Sequence, residues 1–282
     1  MLATWSYRER TTVIHRLDPR ARIVFAISAL LATVLVWDLR LLLISFALAL
    51  AQLLLAQLSW HELRRFCLVA GFFVLFWTLL TFLTGQGGLG VYRDDHPIWR
   101  GSVAGLPFTI SAERLAFAIA QLVRLATMAL LPIVLLFTIH PATYGVAFRR
   151  LGLPDTIAFA LDLAVRFVPS LAHDFTITLD AQRARGYELE RAGGLFRMIR
   201  NLAPLIVPIT IGAILKGEDI VDAMNLHAFG SGPRTWSQEL HYRARDIALM
   251  ALGLGVFVGA IVVRARGAGG LWVPPWLLTL AS

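Results

Sequence analysis

Asp94-Asp95 is the one pair of adjacent aspartates in this 282-residue chain. Such a pair can hold magnesium-diphosphate in a membrane prenyl transferase, but that chemistry needs a second acidic motif in partnership. None accompanies it, and Arg93 and His96 beside it suit a solvated turn. Gly85, Gly87, Gly88 and Gly90 have the spacing of a phosphate-cradling turn. No strand pattern precedes them and no basic helix start follows, so they read as a flexible turn. The sequence Gly-x-x-x-x-Gly-Lys-Ser/Thr does not occur, so ATP hydrolysis by this chain is not expected. The seven histidines are scattered and the single cysteine, Cys67, lies in an apolar run. No metal-ligand spacing arises, and neither metal nor cofactor is expected. No serine sits in a nucleophile-elbow context. The chemistry that remains is charge: 26 basic residues against 18 acidic ones, a net charge of +8, with Lys216 the sole lysine and arginine supplying the rest.

The elements that carry this charge are apolar. The chain is 57% hydrophobic and 16% charged, with a mean hydropathy of +0.69, where a soluble domain carries about 25% charge. Spanning a bilayer takes roughly 20 apolar residues. Five runs approach this: Ile23–Trp37, Leu41–Leu58, Phe66–Thr84, Leu115–Ile139 and Ile247–Val263. The first is short, and only Asp38-Leu39-Arg40 separates it from the second. The arginine-rich N-terminus resembles a leader, but no small-residue cleavage site follows and the segment is read as retained. Arginines resist translocation and so set orientation. Arg8, Arg10, Arg16, Arg20 and Arg22 precede the first run, His61, Arg64 and Arg65 follow the second, and Arg149, Arg150, Arg166, Arg183, Arg185, Arg191, Arg197 and Arg200 follow the fourth. If the runs alternate, all lie on one side, which is then cytoplasmic, with the N-terminus inside. Charge gathered on one face of a membrane accounts for the basic balance without nucleic acid. Arg264 and Arg266 run against the pattern. Within the fourth run, Arg124 and Gln121 are intramembrane polar groups and so functional-site candidates, with Arg124 read first as facing the bundle and bonded to carbonyls or to a partner subunit, and Pro132 is a kink site. Leu271–Leu280, with Pro274-Pro275, is too short to span and suits an interfacial anchor.

Residues 140–245 are helical in pattern and too charged for lipid. Ile157, Leu161, Ala164, Val168, Leu171, Phe175 and Leu179 follow one another in steps of four or three, which puts them on one helical face. Asp162, Arg166, His173 and Asp180 fall opposite. The pattern predicts an amphipathic helix of about 30 residues, some 45 Å long, bent at Pro169 and stopped at Gly186. Leu195–Leu215 is apolar enough to span, but Pro204 and Pro208 interrupt it. It is read as packed on the first amphipathic helix or on the membrane surface, followed by a shorter helix, Glu218–Phe229. Were it to span, the last membrane helix would reverse. The expected fold is an all-α membrane protein with about five transmembrane helices and long amphipathic cytoplasmic helices. Its divisions are 1–139 (membrane helices), 140–245 (cytoplasmic module) and 246–282 (last membrane helix and tail).

Leu163-Ala-Val-Arg-Phe-Val-Pro-Ser-Leu171 followed by Asp180-Ala-Gln-Arg-Ala-Arg-Gly-Tyr187 resembles the T component of energy-coupling factor (ECF) transporters, the EcfT/CbiQ family. His15-Arg-Leu-Asp-Pro-Arg20, Phe148-Arg-Arg-Leu-Gly-Leu-Pro154 and Ala203-Pro-Leu-Ile-Val-Pro208 are similar to further family segments, in order, so the likeness runs from about His15 to Val263. Leu17, Asp18, Pro19, Arg166, Phe167 and Gln182 belong to these signatures. The resemblance implies a non-catalytic scaffold in a bacterial or archaeal cell membrane. Such a scaffold joins a small hydrophobic substrate-binding S component to two ABC-type ATPases, identical or paralogous, for uptake of a vitamin or transition-metal ion. It implies two coupling helices, each ending in Ala-Arg-Gly and docking into one ATPase; Pro169, Pro204 and Pro208 are their expected bend points on proline chemistry alone. The first motif is Ala184-Arg185-Gly186. At the second, His227 replaces the arginine and Ala228 the glycine, ahead of Phe229. A third Ala-Arg-Gly, Ala265–Gly267, follows the last run on the opposite side and is read as coincidence. The other classes are the permease of a conventional ABC importer, with one short coupling loop, and a membrane-embedded transferase.

Overall fold

The protein, a computed structural model, is described at residues 12, 14–84, 96–103, 106–186, 195–232, 242–275 and 279. Arg8, Arg10, the glycines of 85–90, Asp94-Asp95, Tyr187 and Arg191 lie outside the described residues, as does part of the Leu271–Leu280 segment. In chain order the elements are α1 (Pro19–Leu35), α2 (Leu39–Ala56), α3 (Trp60–Thr84), β1 (Pro97–Val103), β2 (Leu106–Ser111), α4 (Ala112–Thr138), a 3₁₀ turn (Pro141–Thr143), α5 (Tyr144–Arg150), α6 (Asp155–Ala184), α7 (Leu195–Leu226) and α8 (Ala244–Ala265). They form two compact units: Ser6–His140 with His241–Ser282, and Met1–Trp5 with Pro141–Leu240.

The first unit is a bundle of α1, α2, α3, α4 and α8. α1 starts four residues before the apolar run, because Asp18 accepts the Arg20 N–H at 2.9 Å and Pro19 presets the first turn. Arg20 and Arg22 are thereby drawn inside the helix and buried. Asp38 caps α2 in the same way, at 2.9 Å from the Arg40 N–H, which ends α1 at Leu35 and leaves Trp37 in the turn. α1 and α8 run parallel in tight register. Asp18 N–H donates to Asp246 Oδ1 at 2.8 Å at one end, and Arg264 Nη1 donates to Leu35 O at 2.9 Å at the other. Between them Gly253 lies so close to α1 that a Cβ would meet the Phe25 Cα at 2.8 Å. Phe25, Ala29, Ala49 and Leu131 form the apolar centre among α1, α2 and α4. Much of α3 faces outward, with Leu68 70% and Phe72 65% exposed, the surface that hydrocarbon covers.

Arginine fulfils one physical role repeatedly in this unit: it satisfies the carbonyls that a helix leaves unpaired at its C-terminus, where the helix dipole also favours a cation. Arg124 Nη2 reaches Val34 O at 2.8 Å while stacked on Trp37 at 3.9 Å, and Arg264 reaches Leu35 O. Arg114 donates to Phe82 O (2.7 Å) and Leu83 O (2.8 Å) at the end of α3. Arg22 donates to Thr138 O (2.8 Å) at the end of α4. Arg124 thus faces the bundle and bonds a carbonyl. Arg264, which runs against the charge rule, is a cap bound to its neighbour.

Two differences from the sequence expectations concern boundaries. Residues 97–111, which lie between the third and fourth apolar runs and outside both, contain an antiparallel hairpin. It is tied to α4 by His96 N–H donating to Glu113 Oε2 at 3.0 Å. The segment after α8 turns back over that same end: Trp37 N–H donates to Gly269 O at 3.0 Å, Trp272 stacks on Arg40 at 3.9 Å, and Leu271 packs with Leu39, Leu42 and Ala120.

The bundle fixes a parity. Arg22, near the start of α1, bonds the end of α4, and Asp18 bonds the start of α8. The chain therefore leaves α4 and returns to α8 at one level. A segment that leaves and returns at one level of a bundle would cross a bilayer an even number of times or not at all, so a lone crossing by Leu195–Leu215 does not suit this geometry.

Candidate functional site

The second unit is built on α6 and α7. α5 leads into it: Arg149 Nε pairs with Asp155 Oδ1 at 2.5 Å, and Gly145 lets α5 approach α6, since a Cβ there would sit 2.8 Å from Ala158 O. This leaves Asp162 half-buried rather than on an open polar face. α6 continues through Pro169 for 30 residues. α7 is one helix of 32 residues running through Pro204 and Pro208, where the sequence suggested two. The residues between, Lys216 and Gly217, join them because Lys216 is anchored on α6: its Nζ donates to Ser170 Oγ at 3.1 Å and to Asp174 Oδ2 at 2.5 Å.

Three pairings set the register. Gln182 Nε2 lies 3.5 Å from Pro204 O, Lys216 meets Ser170 and Asp174, and the Phe159 and Phe229 rings are 5.0 Å apart. The helices are antiparallel, so their C-terminal ends point away from each other. Along α6, Arg185 and the level of His227 are about 25 residues, roughly 37 Å, apart.

Each end closes on a left-handed residue that bonds back three residues. On α6, Gly186 is left-handed at φ +81° and its N–H donates to Arg183 O at 2.9 Å, with Arg185 in the cap position. On α7, Ala228 takes the left-handed position at φ +50°. Its N–H donates to Asn225 O at 3.0 Å and that of Phe229 to Met224 O at 2.9 Å, which is the Schellman pattern. His227 therefore stands where Arg185 stands, and Ala228 where Gly186 stands. Arg185, Gly186, His227 and Ala228 are all exposed. Ala265-Arg266-Gly267 closes α8 with the same geometry, Gly267 at φ +73° and Ala268 N–H on Val263 O at 3.1 Å. That copy belongs to the other unit and lies at the Leu35 level, at the opposite end of the bundle from Thr138.

The remaining signature residues separate. Arg166 is exposed and 3.7 Å from Asp162 Oδ2, Phe167 is half-buried, and Gln182 touches α7. Leu17, Asp18 and Pro19 lie in the bundle, where Asp18 caps α1. The first half of the apolar face of α6 stays open, with Ile157 50% exposed and Leu161 and Val168 exposed as well, while Leu171, Phe175 and Leu179 are half-buried. Sequence reasoning missed the brace of Lys216 on Asp174, for which the sole lysine amid apolar residues was the one available signal. By length and composition α6 also qualifies as a membrane span, alongside α2, the 63–84 part of α3, α4 and α8. Its most apolar window carries few charges, so length and composition alone do not separate α6 from the bundle helices.

Residues 10–236 match the family model described as CbiQ, Cobalt transport protein. The chain belongs to that family. Among its relatives are proteins named energy-coupling factor transporter transmembrane protein EcfT. The one from Thermotoga maritima is 31% identical over 255 residues, 88% of this chain and 88% of that one. The one from Bacillus selenitireducens is 27% identical over 268 residues, 92% and 95% respectively. A Bifidobacterium longum protein named as an ABC transporter ATP-binding protein is 30% identical over 260 residues, 89% of this chain but 31% of its own length. This CbiQ-family chain, with its five apolar helices, is a multi-pass membrane protein of transport.

Proposed function

We propose that the chain is the transmembrane scaffold of an ECF-type importer, carrying the motion of two ABC-type ATPases to a small hydrophobic S component that binds a vitamin or transition-metal ion. The observation that carries this is the pair of matching caps, Arg185 and His227, at opposite ends of one antiparallel helix pair. Tips roughly 37 Å apart need two sockets, as two ATPase subunits provide. The Bifidobacterium relative supports the partnership. Its name specifies ATP binding, this chain matches 31% of it, and this chain has no phosphate loop, so the nucleotide site of that protein falls in the remainder. Catalysis then belongs to the partners.

Residues 140–245 are the cytoplasmic coupling module. Parity requires α6 and α7 to cross together or stay out together. α7 carries Arg197, Arg200, Lys216, Glu218, Asp219 and Asp222, and its apolar interval is too short for a bilayer, which supports both helices on the arginine-rich side with the N-terminus. The open faces of α6 and α7 then seat partner proteins. Arg185 suits a socket: its planar fork of five donors fits a carboxylate or a set of carbonyls, and Ala184 and Gly186 keep the tip narrow. Pro169, Pro204 and Pro208 interrupt the hydrogen-bond ladder where the levers flex.

Co-purification tests the reading. The wild-type chain should recover ATPase subunits and a small hydrophobic protein, and Arg185→Ala should lose ATPase while still inserting. An Arg185→Ala chain that holds its ATPases normally refutes the socket.

A further inference from the structure

We infer that the buried cluster of Leu17–Arg22 with Asp246 is the fixed end of the lever, with Arg22 and Asp246 as positioning residues that hold together the two points where the coupling segment leaves the membrane bundle and returns to it. The inference rests on the scaffold reading above and adds to it the anchor against which the levers work.

Arg22 is 3% exposed, inside the bundle. Its Nη1 donates to Thr138 O at 2.8 Å and its Nη2 to Leu17 O at 3.0 Å. Thr138 is the last residue of α4, two residues before His140 and three before the second unit begins at Pro141. Asp246 is 1% exposed and shares its two oxygens: Oδ1 accepts the Asp18 N–H and Oδ2 the Arg243 N–H, each at 2.8 Å. Arg243 is the residue from which α8 starts. One turn of α1 thus grips both the exit and the return. Arg20 stacks over Tyr242 at 4.4 Å, adding a contact on the return side.

The placement matters because α4 and α8 each pack extensively on α1, which lies between them. The turn at 17–22 is where the end of α4 and the start of α8 are bonded to the same few residues, so its loss loosens the exit and the return relative to each other while the rest of α8 stays packed on α1. A lever moved at its far ends by ATPases transmits displacement only if its near ends hold still. If the near ends slip, hydrolysis continues and the bundle receives nothing. The chemistry suits an anchor. Arg22 is a cation at the negative end of α4, and Asp18 and Asp246 are anions at the positive ends of α1 and α8. Every bond is charge-assisted or made to a helix terminus, and those from Arg22 to Thr138 and from Asp18 to Asp246 are buried. A lysine could not replace Arg22, because a single ammonium does not bridge two carbonyls with a planar fork.

The test uses spin labels at His140→Cys and Arg245→Cys in a Cys67→Ser background, positions exposed at the two ends of the segment. The full chain is reconstituted with the ATPases it recovers, and distances are read with no nucleotide and with ATP plus vanadate. The wild-type latch should give one narrow distance, unchanged by nucleotide. Arg22→Gln and Asp246→Asn should add a second, longer distance, more populated in ATP plus vanadate, while ATP hydrolysis per recovered complex stays within about twofold. Arg22→Lys should behave like Arg22→Gln. Three results overturn the inference: a variant distance identical to wild type, hydrolysis lost in step with the distance change, or rescue by lysine. Failure of every variant to insert would make the cluster a folding element only and overturn it too. A wild-type chain that recovers no ATPase sinks the scaffold reading instead, and the nucleotide-free distances still decide whether Arg22 holds the two ends together.

Discussion

At the scale of single residues, the two tips differ in chemistry though not in backbone. Arg185 offers five donors in a rigid fork, and His227 offers two ring nitrogens at most. Removing one partner of a buried charged pair costs about 2–5 kcal/mol, so Arg185→Ala should weaken ATPase binding at that tip by a corresponding factor, measurable by titrating purified ATPase onto the scaffold in detergent. His227→Arg should tighten the other tip, and a binding isotherm unchanged by it would remove His227 from the interface. Ala228 holds φ +50°, a region that costs a residue with a Cβ about 1–2 kcal/mol. Ala228→Gly should therefore protect the last turn of α7 by about 1 kcal/mol, read as slower amide exchange at 226–229. If exchange there is unchanged or faster, the strain argument fails.

At the scale of elements, the α6–α7 pair behaves as one body because of its cross-brace. Lys216 on Ser170 and Asp174 sits midway between the Gln182–Pro204 and Phe159–Phe229 meetings. The pair is partly open to solvent, and such ion pairs contribute about 0–1 kcal/mol. Lys216→Met should leave insertion and overall stability near wild type. It should speed amide exchange in the middle of α6, next to Pro169, where a carbonyl has already lost its ladder partner. Uniform exchange across α6 in that variant would show that the brace does not join the helices. Repetition of arginine caps on α1, α3 and α4 makes another point. Charge inside a membrane bundle need not mark a path for substrate when each guanidinium is spent on the carbonyls of a neighbouring helix.

At the scale of the whole molecule, the parity of crossings follows from two hydrogen bonds, Arg22 to Thr138 and Asp18 to Asp246. Single cysteines placed at 143, 231 and 245 in a Cys67→Ser background should all label from one side of a sealed vesicle. A cysteine at 268 should label from the other. Labelling of 143 and 245 from opposite sides would break the parity, and labelling of 231 apart from 245 would place the tip of α7 across the membrane from the start of α8.

What was legible in the sequence was local. Apolar runs long enough for a bilayer gave the membrane helices, because span length is set by bilayer thickness rather than by neighbours. The four-three spacing from Ile157 to Leu179 gave α6, and Gly186 gave its end, because caps and periodicity involve residues within a turn or two. The order of the Leu163–Leu171 and Asp180–Tyr187 signatures gave the family. Tertiary structure decided what depends on residues far apart in the chain. Asp18 and Asp246 meet across 228 positions, and nothing near either one announces the other. Lys216 fuses α7 into one helix by reaching an aspartate on α6, and Arg264 proves to be a cap rather than a breach of the charge rule. A side chain's role in these cases is fixed by which unpaired carbonyl or carboxylate packing brings within 3 Å, and only the folded chain determines that.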